Sequence, residues 1–273
     1  MQGNRPRTKL LVDGGDPDET VHVKELIGFV DGQTTNPSLI AKNPEVQQLL
    51  QSGQRLSTEE QQEEYKKIVQ KISPIVGDAG VSIEVFADLN TTAEQMLAQG
   101  QEMFAWIPNA YIKYPCTHEG LRAAHVSVEK GIRVNMTLCF SQDQAAAVYS
   151  ATRGTKDPVY VSPFIGRLDD QGQNGMDVVK NILKMYRAGD IMCASWPRAY
   201  GTLTIYFAHS HCMPNWRPCL PKFWKSGPRR ALLCQMKALF TTQRIRNETT
   251  SSRLNTRNSI SMLPGRVLIF ATN

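Results

Sequence analysis

Lys113 sits in the run Tyr111-Ile112-Lys113-Tyr114-Pro115, between apolar side chains. Desolvation there disfavours an ammonium and favours a neutral amine. A neutral amine can attack a ketone, and the resulting imine is an electron sink for breaking a carbon–carbon bond. The same spacing fits a structural lysine paired with Glu84. Glu84 and Asp13 have the chemistry to exchange protons with water or substrate hydroxyls, although strand-end carboxylates pair as readily with basic neighbours. Ser162-Pro163-Phe164-Ile165-Gly166-Arg167 offers a hydroxyl and a guanidinium suited to a phosphate, and Arg167 could instead pair with Asp169 or Asp170. Thr34-Thr35-Asn36-Pro37-Ser38-Leu39 supplies hydroxyls and an amide, and by itself reads as a turn and an N-cap.

Such residues need a scaffold to bring them together, and the chain's periodicity predicts one. Residues 9–12 form a short apolar run before Asp13, and Asp16-Pro17 has the form of an N-cap and first helical residue opening a helix towards Gly28. Residues 29–31 predict a second strand that empties into the loop Gly32-Gln33-Thr34-Thr35-Asn36-Pro37. Ser57-Thr58-Glu59-Glu60 has the pattern of a capping box for a helix reaching Ile72. Strand-like runs at 81–86, 110–114, 133–136 and 160–162 follow, with helical segments such as 117–130 and 177–187 after them. Strand and helix alternating in this way predict parallel strands with crossover helices. The length of 273 residues, 41% of them hydrophobic, suits one (β/α)8 TIM barrel. In that architecture the chemistry collects where strands hand over to loops. Asp13, Thr34 to Asn36, Glu84, Lys113, Asn135 with Thr137, and Ser162 with Arg167 fall at or just past six different predicted strand ends.

Charge is distributed unevenly. Residues 1–190 hold 19 Lys and Arg against 24 Asp and Glu, whereas residues 191–273 hold 12 against one. The basic character therefore belongs to the last third. The six cysteines (Cys116, Cys139, Cys193, Cys212, Cys219 and Cys234) contain no C-x-x-C pair, so reduced thiols are expected rather than disulfides or a metal site. With no long apolar run and a polar start at residues 1–9, the expectation is a soluble cytoplasmic protein with no membrane partner.

In order, and over residues 9–190, the motifs resemble the transaldolase family. Thr34 to Leu39 resembles its first signature, Ile112-Lys113-Tyr114-Pro115-Cys116-Thr117 its Schiff-base segment, Asn135-Met136-Thr137 its third motif and Ser162 to Arg167 its fourth. The resemblance implies a (β/α)8 barrel that uses no cofactor or metal and acts on sugar phosphates. The implied reaction moves a dihydroxyacetone unit from fructose 6-phosphate or sedoheptulose 7-phosphate to an aldose phosphate in the pentose phosphate pathway. By matching position, the resemblance implies that Lys113 is the imine lysine, Glu84 and Asp13 are the acid and base, and Thr137 positions water. Asn36 and Asn135 would hold the dihydroxyacetone hydroxyls, Ser162 and Arg167 would bind substrate with Arg167 on the phosphate, and Ser82 and Thr34 would line the site. Glu84 and Phe164 are similar to transaldolases rather than to the related fructose-6-phosphate aldolases, which resemble Gln and Tyr at those positions. Tyr114 departs from the smaller apolar residue usual there and is expected to affect packing rather than chemistry. A homo-oligomer is compatible with the resemblance, and no nucleic-acid partner is implied.

After Asp190 the alternation stops, and Trp196-Pro197, Met213-Pro214, Arg217-Pro218 and Leu220-Pro221 interrupt any helix. Residues 241–261, mostly Thr, Ser, Asn and Arg, are expected to be disordered. The resemblance implies a later Ser-Ile/Phe-Arg motif, whose arginine is a second phosphate ligand, and an ending like Lys-Val-Leu-Glu-Glu-Trp. Neither is present. Yet Arg198-Ala199-Tyr200-Gly201, written CGA-GCA-TAC-GGN, contains AGC-ATA-CGG in another frame, which spells Ser-Ile-Arg. In that same frame, Lys222 to Gly227 as AAG-TTC-TGG-AAG-AGT-GGN yields Val-Leu-Glu-Glu-Trp. The expectation is thus a barrel domain over residues 1–190 and an out-of-frame tail over 191–273. Such a barrel is incomplete, with about six to seven of its eight β/α units, and open strand edges are expected at the gap. A basic nucleic-acid-binding tail is the rival account, but no aromatic-interleaved motif supports it.

Overall fold

Most helices among the described residues begin where the sequence supplies a side-chain acceptor for their first N–H groups. In a computed structural model that describes residues 9–52, 56–192, 204–206 and 266–271, Asp16 caps α1 (Pro17–Ile27), which ends on Gly28 in the left-handed conformation, φ 92°. Ser57 and Glu60 form the expected capping box at the start of α4 (Thr58–Ile72). Thr92 and Gln95 do the same for α5 (Ala93–Phe104). Between α1 and α4 lie α2 (Pro37–Ile40) and α3 (Pro44–Gln51), capped by Asn36 and Asn43. No helix among the described residues is long and apolar enough to cross a membrane.

Six strands, β1 (Leu10–Asp13), β2 (Gly32–Thr34), β3 (Gly80–Glu84), β4 (Ala110–Pro115), β5 (Val134–Cys139) and β6 (Tyr160–Pro163), pair in sequence order, all parallel. Helices α6 (His118–Glu129), α7 (Gln142–Ala151), α8 (Ile165–Asp170) and α9 (Gly175–Met192) continue the alternation. Two further strands complete the wall. β7 (Thr204–Tyr206) pairs parallel with β6, and β8 (Arg266–Ala271) runs antiparallel to both β7 and β1, closing the barrel. The fold is therefore the expected β/α barrel through six strands, with a seventh short strand and, among the described residues, no eighth parallel one. The open edges expected at the gap are occupied instead, because an exposed row of N–H and C=O groups will pair with whatever extended segment reaches it. Residues 241–261, expected to be disordered, lie outside the described residues.

The second strand lies three residues later than expected, at Gly32–Thr34 rather than 29–31. Gly32-Gln33-Thr34 is strand rather than the expected loop, and its glycine serves close approach. A Cβ on Gly32 would come 2.6 Å from the Gly80 carbonyl oxygen on the neighbouring strand. Residues 29–31 lead into the strand, with the Asp31 N–H bonded to Leu10 O at 2.8 Å.

Alternating side chains make two layers. Outward residues such as Ile83, Ile112, Val134 and Val161 pack against the helices in one large apolar cluster. Inward, Leu11, Tyr111 and Tyr160 fill the lower barrel with Ala79, and the two tyrosine rings stack at 4.3 Å. Tyr114 is buried on the outer layer, where its hydroxyl bonds Ser127 Oγ at 2.9 Å. Cys116 and Cys139 are free thiols, and the other four cysteines lie outside the described residues.

Candidate active site

Above the tyrosine floor, register sets which polar side chains meet. Asp13, Thr34 and Ser82 are successive partners across β1, β2 and β3, while Glu84, Lys113 and Asn135 are partners across β3, β4 and β5. Asp13, Thr34 and Glu84 therefore end their strands on one rim, whereas Ser82, Lys113 and Asn135 sit further back along theirs.

Lys113 is 6% exposed. Its Nζ lies 2.9 Å from Glu84 Oε2 and donates to the main-chain oxygen of Thr35 at 3.3 Å. The pairing with Glu84 that the sequence allowed is thus real. It also places a carboxylate beside the amine on the side that opens to solvent, since Glu84 retains 21% exposure. Deeper in the barrel, Ser162 Oγ donates to Asn135 Oδ1 at 2.8 Å, and Asn135 Nδ2 donates to Ser82 Oγ at 3.0 Å. This chain ties β6, β5 and β3 together and fixes which way the Asn135 amide faces. Thr137 is buried two residues further along β5. The hydroxyl of Thr34 is buried without a hydrogen-bond partner among the described residues.

A cleft of ≈ 670 Å³ opens over this rim, and Asn36, Glu84, Lys113 and Phe164 are among its lining residues. Asn36 uses its side-chain oxygen to cap α2, accepting from Leu39 N at 2.9 Å, so it is both the N-cap the sequence allowed and part of the cleft wall. Phe164 stands where β6 hands over to α8, its ring 5.4 Å from that of Phe140. Val85, Phe86 and Asp88, which the sequence did not single out, complete the wall beside Glu84. Asp13, Thr34, Ser82, Asn135, Thr137, Ser162 and Arg167 are not among the residues lining the cleft. Arg167 is exposed on α8 and makes no ion pair with Asp169 or Asp170, and Asp169 instead accepts from Gly175 N at 2.8 Å. Among the described residues no group of three or more His, Cys, Asp or Glu could hold a metal ion.

Two roles escaped the sequence reading. Thr35 contributes the carbonyl that receives Lys113, and Tyr65 on α4 bonds Thr35 Oγ1 at 2.7 Å and accepts the Glu84 N–H at 3.0 Å. Burial pushes the Tyr65 phenol far above the usual tyrosine range. As an apolar-face residue of an amphipathic helix, Tyr65 looks in sequence like any core aromatic.

A β/α barrel with a shielded lysine–carboxylate pair at the carboxyl ends of its strands defines the class of protein. Comparison with known proteins defines the family. The family model described as transaldolase/fructose-6-phosphate aldolase matches residues 10–214, past the break expected near Asp190. A probable transaldolase of Bacteroides thetaiotaomicron is 40% identical over 184 residues, covering 67% of this chain and 72% of the relative. One from Dehalococcoides mccartyi is 36% identical over 174 residues, 62% of this chain and 69% of the relative. Another, from Parabacteroides distasonis, is 41% identical over 180 residues, 65% and 71% respectively. The chain belongs to the transaldolase/fructose-6-phosphate aldolase family.

Proposed function

We propose that the chain transfers a dihydroxyacetone unit from a ketose phosphate, fructose 6-phosphate or sedoheptulose 7-phosphate, to an aldose phosphate, as a cytoplasmic step of the pentose phosphate pathway. The Lys113 amine attacks the ketone carbon of the donor, and the carbinolamine loses water to leave an imine. A base, assigned to Asp13, takes the proton of the donor's C4 hydroxyl. The C3–C4 bond then breaks, its electron pair passes to the imine nitrogen as an enamine, and the aldose phosphate departs. The enamine carbon attacks the aldehyde of the acceptor, the new alkoxide takes back a proton, and water releases the product from Lys113. Glu84 passes protons at the amine and its water, with Thr137 positioning that water. Asn36 and Asn135 hold the hydroxyls of the three-carbon unit, Thr34 and Ser82 line it, Phe164 closes the wall, and Ser162 with Arg167 takes the phosphate end.

The observation that carries this reading is the 2.9 Å pair of Lys113 with Glu84, facing a cleft at the strand ends of a family member. Borohydride reduction in the presence of fructose 6-phosphate tests it. The expected product is a single adduct on Lys113 by peptide mass spectrometry. No adduct, or one on another lysine, sinks the assignment.

A second reading, a barrel that keeps the imine half of the site but does not turn over, draws on the closing strand. β8 runs antiparallel in a wall whose first seven strands are parallel. This favours treating residues 191–273 as an out-of-frame tail that does not supply the second phosphate arginine. Sequencing the coding DNA across residues 185–240 decides that point: codons unable to spell Ser-Ile-Arg and Val-Leu-Glu-Glu-Trp in the shifted frame end the idea.

A further inference from the structure

Strand β2 ends at Thr34, whereas β3 continues to Glu84. Odd-numbered residues of β3 bond towards β4, with Val81 N–H on Asn109 O at 3.0 Å and, just past the strand, Val85 N–H on Lys113 O at 3.2 Å. The Glu84 N–H therefore faces the side where β2 has run out, and a buried N–H without an acceptor is costly. Tyr65 Oη supplies that acceptor at 3.0 Å. The hydroxyl is reached from outside the barrel, from helix α4, and is completely buried. Its ring is held edge-on by Phe86 at 6.2 Å and Trp106 at 5.9 Å.

The direction of each bond around this hydroxyl follows from the acceptors present. Thr35 Oγ1 lies 2.7 Å from Ser82 O, a carbonyl, so the threonine must donate there. Its remaining contact, 2.7 Å to Tyr65 Oη, is then one in which the tyrosine donates. The chain runs from Glu84 N–H to Tyr65, to Thr35, to Ser82 O, each link polarising the next. Both ends of the lysine's surroundings hang from it. Thr35 carries the carbonyl that receives Lys113 Nζ, and Glu84 carries the carboxylate that faces it.

We propose that Tyr65 is a positioning residue for the Lys113–Glu84 pair: one hydroxyl sets the distance between the loop after β2 and the end of β3, and hence the slot in which the amine sits. The proposal rests on the reading of Lys113 as the imine-forming lysine. It assigns Tyr65 no contact with substrate.

The test compares Tyr65→Phe with Ile68→Val in the full-length protein. Ile68 is a buried residue of the same helix with no part in the chain, so its variant reports loosened α4 packing alone. Tyr65→Phe is expected to lower kcat by about 10- to 100-fold with KM for fructose 6-phosphate little changed. Ile68→Val is expected to lower the melting temperature but to keep wild-type kcat. A second readout needs no turnover. Acylation of Lys113 by an amine-reactive reagent, followed by peptide mass spectrometry, should quicken about 3- to 10-fold in Tyr65→Phe, the worth of one lost hydrogen bond from the amine. Unchanged or slower labelling of Lys113 overturns the proposal, as does an equal loss of kcat in both variants. If wild-type protein yields no borohydride adduct, the imine reading fails, and the labelling comparison still decides whether Tyr65 positions the lysine.

Discussion

Lys113 and Glu84 face each other in register across β4 and β3, with Nζ and Oε2 2.9 Å apart and side chains 7% and 21% exposed. In the proposed reaction this pairing puts a base, Glu84, within reach of the amine that would lose a proton to attack. Glu84→Gln keeps the shape and removes that base. Turnover is expected to fall by about 10²- to 10⁴-fold, with a borohydride adduct still forming on Lys113 at longer times. Wild-type turnover in the variant would remove Glu84 from proton transfer.

Gly100, inside α5, lies against the phenol of Tyr114: a Cβ there would come 1.9 Å from Oη and 2.9 Å from Cζ. Gly100→Ala is expected to destabilise by about 1–3 kcal/mol through overpacking, despite the better helix propensity of alanine. On a Tyr114→Leu background the same change should be neutral or stabilising. Urea denaturation of the four proteins measures the coupling, and simple additivity would show that the two residues do not share the space.

Burial dominates the Tyr114 phenol, which is pushed up to about 12 from its ordinary value of 10.0, and burial drives Tyr65 and Tyr186 in the same direction. A raised folded-state value means that the unfolded chain releases its protons first as pH climbs. The stability these phenols contribute is complete below pH 10 and is lost above it, by about 1.4 kcal/mol per pH unit for each tyrosine. Denaturant midpoints should be insensitive to these groups below pH 10 and fall steeply beyond it. A shallower alkaline fall in Tyr114→Phe checks the assignment, and an identical slope would contradict it.

Leu138 adopts φ 56°, a left-handed conformation, where β5 bulges against β6 between Met136 and Cys139. The side chain of Gln144 holds the distortion by accepting from Phe140 N at 2.7 Å and donating to Cys116 O at 3.1 Å. Because leucine is strained in that conformation and Leu138 is 37% exposed, Leu138→Gly should change unfolding free energy by less than about 1 kcal/mol. Leu168→Gly, at a buried helical position, should cost about 3 kcal/mol or more. Similar losses in both would refute the strain argument.

Much of the scaffold was legible in the chain because its signals are local. Asp16-Pro17 and Ser57 to Glu60 start their helices as read, since a cap is decided within four residues. Most strand-like runs became strands within a few residues of their expected ends. The second lies three residues later than expected, and only the approach of Gly80 from another strand reveals the use of Gly32.

The sequence alone, through the order and spacing of Thr34, Lys113, Asn135 and Arg167, determined the family resemblance and the six-strand alternation. It left Lys113 undecided between an isolated amine and a partner of Glu84, and it made Tyr65 indistinguishable from any core aromatic. Those points depended on contacts between residues 29 and 19 positions apart, and such contacts follow from strand register and helix packing rather than from any local preference. Tertiary structure likewise left Arg167 outside the cleft wall and turned β8 antiparallel into the gap, because unsatisfied strand edges accept a partner by reach and not by motif.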